Sequence, residues 1–233
     1  MKALIHKFVL TWRERFRSQR SELFLRLMKP QDGMSILDLG GGNGDFMARI
    51  RDRVKARFVV ADIFDSVNTA HKDHLFEFVR LPENGVLPFA DQEFDIVFCN
   101  SVIEHVTLPK SELGLREIDH SEWIRLAFER QQQFANEIRR IGKSHFVQTP
   151  HKSFPIETHI WLPFVNWLHY NQMVAVLKLA NRWWVKKYGY VDWYLLGSKE
   201  MQQLFPESNI HVERFLGLPK SIIAFQRTSN DNT

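Results

Sequence analysis

Five consecutive residues, Gly40-Gly41-Gly42-Asn43-Gly44, constrain this chain more than any others. They halt a short apolar run, Ser35-Ile36-Leu37-Asp38-Leu39, and a segment of helical character follows from Asp45. A glycine run at a strand-to-helix junction lets backbone pass close to a ligand and offers free N–H groups at the helix start. Two more apolar runs, Phe58-Val59-Val60-Ala61-Asp62 and Phe94-Asp95-Ile96-Val97-Phe98-Cys99-Asn100, follow at helix-sized intervals. Such β-branched and aromatic runs, alternating with helical stretches, predict a parallel sheet covered on both faces.

The remainder extends this alternation and then departs from it. Ala3 to Met28 spaces Phe8, Trp12, Phe16, Leu23 and Leu27 at mostly helical intervals, predicting one or two amphipathic helices that end at Lys29-Pro30. Glu122 to Ile141 reads as a long helix with Trp123, Ala127, Phe134, Ile138 and Ile141 along one stripe. His145 to Thr149 reads as a strand stopped by Pro150. Residues 150–195 form an aromatic-rich insertion, interrupted by Pro155 and Pro163, with a helix over Val165–Lys187. A helix at Ser198–Phe205 precedes two strands, His211–Phe215 and Ser221–Gln226, joined through Gly217-Leu218-Pro219 as a hairpin. The expectation is one domain over 1–233, with a basic helical leader over 1–30 and an acceptor-side insertion over 150–195.

Composition removes several classes. Apolar residues make up 44% and charged residues 25%, as in ordinary globular proteins. A single cysteine, Cys99, allows neither an internal disulfide nor a Cys-based zinc site. His71-x-x-His74 has helical spacing, but the intervening Lys72 and Asp73 mark a solvated face, so no metal is expected. The formal charge of +4 is uneven: residues 1–30 hold eight of the 31 Lys and Arg but two of the 27 acids. The remaining body therefore carries 23 basic against 25 acidic residues. The leader lacks the apolar core and cleavage site of a signal peptide, and no apolar run is long enough to span a bilayer. A cytoplasmic protein is expected.

The glycine loop does not fit the dinucleotide pattern G-x-G-x-x-G, whose third glycine would fall on Asp45 or Met47. It reads D-x-G-x-G-x-G, through Asp38, Gly40, Gly42 and Gly44. In the form ILDLGGGNGDF this resembles motif I of class I S-adenosylmethionine-dependent methyltransferases, here of the bacterial, small-molecule type 11 kind. Asp62, closing the second strand in VVADIFDS, matches the acid that in the family holds the two ribose hydroxyls. A carboxylate accepts two hydrogen bonds from a vicinal diol. LPFADQEFDIVFCNSVIEHV resembles the family's approach to its fourth strand.

The resemblance implies a Rossmann-like, doubly wound, mostly parallel seven-stranded α/β sheet whose closing hairpin supplies an antiparallel edge strand. It implies S-adenosylmethionine as cofactor, held by Asp38, Gly40, Gly41, Gly42 and Asp62, with Ile63 packed on the adenine and Asn100 beside the methionine portion. The family's adenine-reading Asp-Ala pair is replaced here by Leu81-Pro82-Glu83-Asn84-Gly85-Val86, so Glu83 or Asn84 takes that place.

Open α/β sheets bind ligands beyond the carboxyl ends of their strands, which points to residues 100–105 and 149–159 for the methyl acceptor. An alcohol attacking a sulfonium methyl must lose its proton, and histidine is the usual base. His105 and His159 are the candidates, with Glu157 placed to orient either one. The segment Thr149 to His159 resembles a TP-x-x-x-FPIE-x-H signature of a bacterial subgroup near polysaccharide and natural-product pathways.

The expected reaction is methylation of a sugar or secondary-metabolite hydroxyl, on a free, glycan or lipid-linked acceptor. Two alternatives stay open. One is a nucleic-acid methyltransferase using the basic leader, against which Asn100-Ser101-Val102-Ile103 lacks the Asn/Asp-Pro-Pro-aromatic run of amino methyltransferases on bases. The other is a non-catalytic scaffold. The insertion holds five of the seven tryptophans, Trp161, Trp167, Trp183, Trp184 and Trp193, which suits core packing, an acceptor pocket or a peripheral membrane contact.

Overall fold

A computed structural model describes residues 17–63, 76–82, 86–109, 112–113, 118–157, 162–183 and 191–228. After a helix over 17–28 (α1), the elements are β1 (Ser35–Leu39), α2 (Asp45–Ile50), β2 (Arg57–Asp62), β3 (Glu77–Arg80) and β4 (Phe94–Asn100). Then come α3 (His120–Ile141), β5 (Gly142–Pro150), α4 (Tyr170–Trp183), α5 (Ser198–Leu204), β6 (Asn209–Phe215) and β7 (Leu218–Gln226).

The strands form one seven-stranded sheet in the order β3-β2-β1-β4-β5-β7-β6. β1 pairs in parallel with β2, Leu37 opposite Val59, and β2 with β3, Val60 opposite Phe78. The order reverses between β1 and β4, the switch point at whose carboxyl ends such sheets take ligands. β6 and β7 are joined by Leu216 and Gly217, both at positive φ (49° and 81°), a two-residue turn that reverses the chain. The hairpin therefore starts its return strand at Leu218, and β6 becomes the sheet edge.

The chain divides into two compact units. One comprises residues 1–98, 140–146 and 225–233; the other comprises 99–139 and 147–224. In the first, α1 buries Phe24 completely. Its ring meets Phe46, Phe98 and Phe146 edge-on at 5.2, 5.4 and 5.6 Å, and Phe46 stacks on Phe98. Fully burying the Phe24, Phe98 and Phe146 rings is worth about 1.5–3 kcal/mol each, and the half-buried Phe46 adds its stack, which anchors α1 and α2 to the strands.

The second unit has its own core, built on Trp123, Tyr170, Met173, Leu177, Val191 and Trp193, with the Trp123 and Tyr170 rings 4.4 Å apart. The buried stripe of α3 runs through Trp123, Ala127, Gln131, Ala135, Ile138 and Ile141. Phe134 is only partly buried, and Gln131 holds the central position. The helix expected from Val165 begins at Tyr170, because Leu168 is extended and a separate 3-10 turn occupies Val165–Trp167. The Gln172 side chain accepts the His169 N–H, an N3 side chain capping the start of α4. Among the described residues, no helix is long and apolar enough to cross a membrane.

Candidate functional site

The glycine loop lies directly after β1. Gly40, Gly42 and Gly44 all adopt positive φ (76°, 56° and 79°), backbone that a side chain would strain. Gly40 N–H donates to the Ala61 carbonyl, tying the loop to β2, and Gly44 N–H closes the turn on the Gly41 carbonyl. Gly41 is required for space: a Cβ there would run into the Asp38 carboxyl group beneath it. Asp62 clamps the loop from the side, its Oδ2 accepting the Gly42 N–H at 2.9 Å. The motif acids and glycines are thus one interlocked structure in the first unit. Ile63, next along, is exposed rather than buried at the strand end, leaving its side chain available to a flat ligand.

Asp38 has an electrostatic demand of its own. It is buried, and its Oδ2 has no hydrogen-bond partner. Burial and the neighbouring carboxylates of Asp62 and Asp45 push its pKa up to about 8. A buried carboxyl with an orphaned oxygen among like charges calls for a cation. The ammonium and sulfonium groups of S-adenosylmethionine supply that charge, so the donor set fits the cofactor. Asn84 lies outside the described residues, as do Glu83, His71 and His74.

The second unit holds the residues expected on the acceptor side. Asn100 ends β4 with a buried, unpartnered Oδ1, and the buried Thr149 Oγ1 on β5 is likewise unpartnered. Ser101 N–H donates to the Gln148 carbonyl, holding those two strand ends together. A 3-10 turn over Ile103–His105 then presents His105.

His105 Nδ1 lies 3.2 Å from Asp192 Oδ1, and the Asp192 side chain is almost fully enclosed. Burial opposes the charged imidazole, but the Asp192 hydrogen bond and the charges of Glu104, Asp192 and Glu157 outweigh it and raise the His105 pKa. Glu157 is fully buried, and its charge reaches His105. His159, the other histidine expected here, lies outside the described residues.

Two residues around His105, one its partner and one a tie between the segments that carry the pair, were not foreseen. Asp192 sits 87 positions along the chain, in the apolar Val191-Asp192-Trp193 stretch. An acid inside such a run is a signal that could have been read. Gln131 donates from Nε2 to the carbonyls of Ile103 (3.0 Å) and Tyr194 (2.9 Å), fastening the segments that carry His105 and Asp192. Thr107 Oγ1 also donates to the Asp192 carbonyl, and Tyr194 N–H donates to the Glu104 carbonyl. A carboxylate on Nδ1 selects the tautomer with a basic Nε2, so the pair is built to take up a proton.

Comparison with known proteins gives this geometry its setting. Residues 37–145 match the Methyltransferase domain family. No curated protein sequence matches the chain. Solved structures that resemble it include the PH0226 protein from Pyrococcus horikoshii, 15% identical over 92% of this chain and 89% of that one, with a TM-score of 0.55. An S-adenosylmethionine-dependent methyltransferase from Aquifex aeolicus is 14% identical over 88% and 87%, with a TM-score of 0.51. A Haemonchus contortus phosphoethanolamine N-methyltransferase, solved with S-adenosylmethionine, is 12% identical over 84% of this chain and 38% of its own, with a TM-score of 0.51. Residues 37–145 thus match a methyltransferase domain, and the chain shares its fold with the S-adenosylmethionine-dependent methyltransferase from Aquifex aeolicus.

Proposed function

We propose that this protein methylates a hydroxyl group of a small molecule, with His105 as the general base and Asp192 as its positioning residue. The observation that carries the reading is the 3.2 Å contact between His105 Nδ1 and Asp192 Oδ1. An amine or carboxylate acceptor attacks without needing a strong base, whereas a hydroxyl must lose its proton as it attacks. A histidine whose pKa is raised by a buried aspartate is suited to that task. Bound S-adenosylmethionine supplies an activated methyl on sulfur, so the protein's share is alignment and proton removal.

In this reading Asp38, Gly40, Gly41, Gly42 and Asp62 hold the cofactor, with Ile63 against its adenine and Asn100 beside its methionine end. Sugar and secondary-metabolite hydroxyls are the acceptor class. The single domain and cytoplasmic location expected from the chain belong to the same reading.

Methyl transfer from labelled S-adenosylmethionine to a panel of sugar and phenolic alcohols, run beside the matching amines, tests the acceptor class. Labelling of alcohols is expected; labelling of amines alone overturns it. His105→Ala should lower turnover at least ~10²-fold while calorimetric binding of S-adenosylhomocysteine persists. His159→Ala is the parallel control, and loss confined to that variant transfers the base role to His159.

A further inference from the structure

Hydrophobic exposure in this molecule is concentrated in one region. Of the eight large apolar side chains exposed among the described residues, Ile156, Phe164, Trp167 and Leu179 fall within or beside the aromatic insertion. Phe164 is 55% exposed and Trp167 58%, and their rings stand 5.1 Å apart. The backbone beneath them is pinned. Phe164 N–H donates to the Pro155 carbonyl at 2.6 Å, Trp167 N–H donates to the Phe164 carbonyl, and Ile156 bridges Pro163.

Charge in the same segment is one-sided. Residues 158–191 contain no acidic residue and four basic ones, Lys178, Arg182, Lys186 and Lys187, although the chain as a whole holds 27 acids among 233 residues. α4 buries Tyr170, Met173 and Leu177 in the second unit's core. Lys178, Leu179 and Arg182 are exposed along its opposite face. A helix with one face in the core and a basic, acid-free outer face is not self-neutralised, and it attracts an anionic surface.

We propose that the turn carrying Phe164 and Trp167, together with the basic face of α4, docks this protein peripherally on an anionic lipid bilayer. Tryptophan and phenylalanine beside Lys and Arg is the pairing that seats a protein at the headgroup level, rings in the interface and cations against the phosphates. α4 is too short and too polar to span the bilayer, so it lies along the surface. The docking concerns location and is independent of which acceptor is methylated.

The test is flotation of the full-length protein with phosphatidylcholine vesicles, with and without phosphatidylglycerol, across a salt series. Binding is expected to the phosphatidylglycerol vesicles only and to fall as salt rises. K178E/R182E should weaken it at least about tenfold, each basic group near the surface being worth roughly fivefold. F164A/W167A should abolish the residual salt-resistant part and remove a vesicle-induced blue shift of tryptophan fluorescence. Calorimetric binding of S-adenosylhomocysteine by the same variants monitors the folded cofactor site separately. No flotation of wild type, or equal flotation of wild type and both variants, overturns the proposal. Self-association that these substitutions abolish, without vesicle binding, would assign the face to a second copy and overturn it equally.

Discussion

His105 and Asp192, 87 residues apart, meet at 3.2 Å with the carboxylate enclosed and the imidazole still partly exposed. Asp192 reaches Nδ1, so Nε2 is the nitrogen that carries the base role in the proposed reaction. Asp192→Asn keeps the shape but removes the charge that holds the His105 pKa up. Turnover should fall ~10²-fold or more. The acidic limb of the kcat profile should move to lower pH, because the base form is then reached earlier. A pH series on both proteins checks this, and a lower plateau with an unmoved limb would leave Asp192 a packing role only.

Gln131 is fully buried on α3 and spans the carbonyls of Ile103 and Tyr194. Gln131→Leu keeps the volume and removes both donations, leaving a buried and a part-buried carbonyl short of a partner. A loss of about 1–3 kcal/mol in stability is expected, measured by denaturant titration. Turnover should fall with little change in S-adenosylhomocysteine affinity, since the tie holds the acceptor-side segments rather than the glycine loop.

With Asp38 in the proposed cofactor site, cofactor binding becomes sensitive to pH. Its pKa is about 8 in the folded protein, against an ordinary carboxylate value near 3.8. The folded state therefore holds a proton that the unfolded chain releases, and this contribution to stability is full at low pH and lost as pH rises toward about 8. A bound ammonium favours the ionised carboxylate, so binding expels the proton and tightens as pH climbs through the same window. Calorimetry of S-adenosylhomocysteine in buffers of different ionisation heat should report proton release near neutral pH. Asp38→Asn should abolish it and flatten both pH dependences. Equal heats in all buffers for the wild type would contradict the assignment.

What the residues revealed in advance follows from how local each signal is. β1 and β4 are mainly apolar runs, each interrupted by a single aspartate, and their boundaries were legible to the residue. β3 was not, because Glu77-Phe78-Val79-Arg80 is short, flanked by charges and half-buried at the sheet edge, where no apolar run is needed. The glycine loop was legible because its glycines and acids are close in sequence or separated by one helix. The aspartate behind His105 was not, since its role depends on a contact between distant segments that periodicity does not encode. Gln131 was concealed for the opposite reason: it occupies an apolar stripe, where a polar residue reads as an interruption until the carbonyls it serves are seen.

The second unit also carries a histidine, His120, whose titration opposes folding. His120, at the start of α3, accepts the Tyr170 N–H on Nδ1 at 3.2 Å, and its ring lies 4.3 Å from that of His169. Burial and the neighbouring His169 hold its pKa below the ordinary value, with Asp119 opposing them weakly. The unfolded chain therefore takes up a proton at a pH where the folded one does not. The stability this site contributes is present above roughly pH 6.5 and is lost as pH falls through the lower folded value. Protonation of Nδ1 also removes the acceptor for the first N–H of α4. Melting curves between roughly pH 5 and 7 should show a fall in Tm on acidification. His120→Asn keeps an acceptor for Tyr170 without a titrating ring, and should shrink that fall. An unchanged pH slope in this variant would assign the acid sensitivity to other groups.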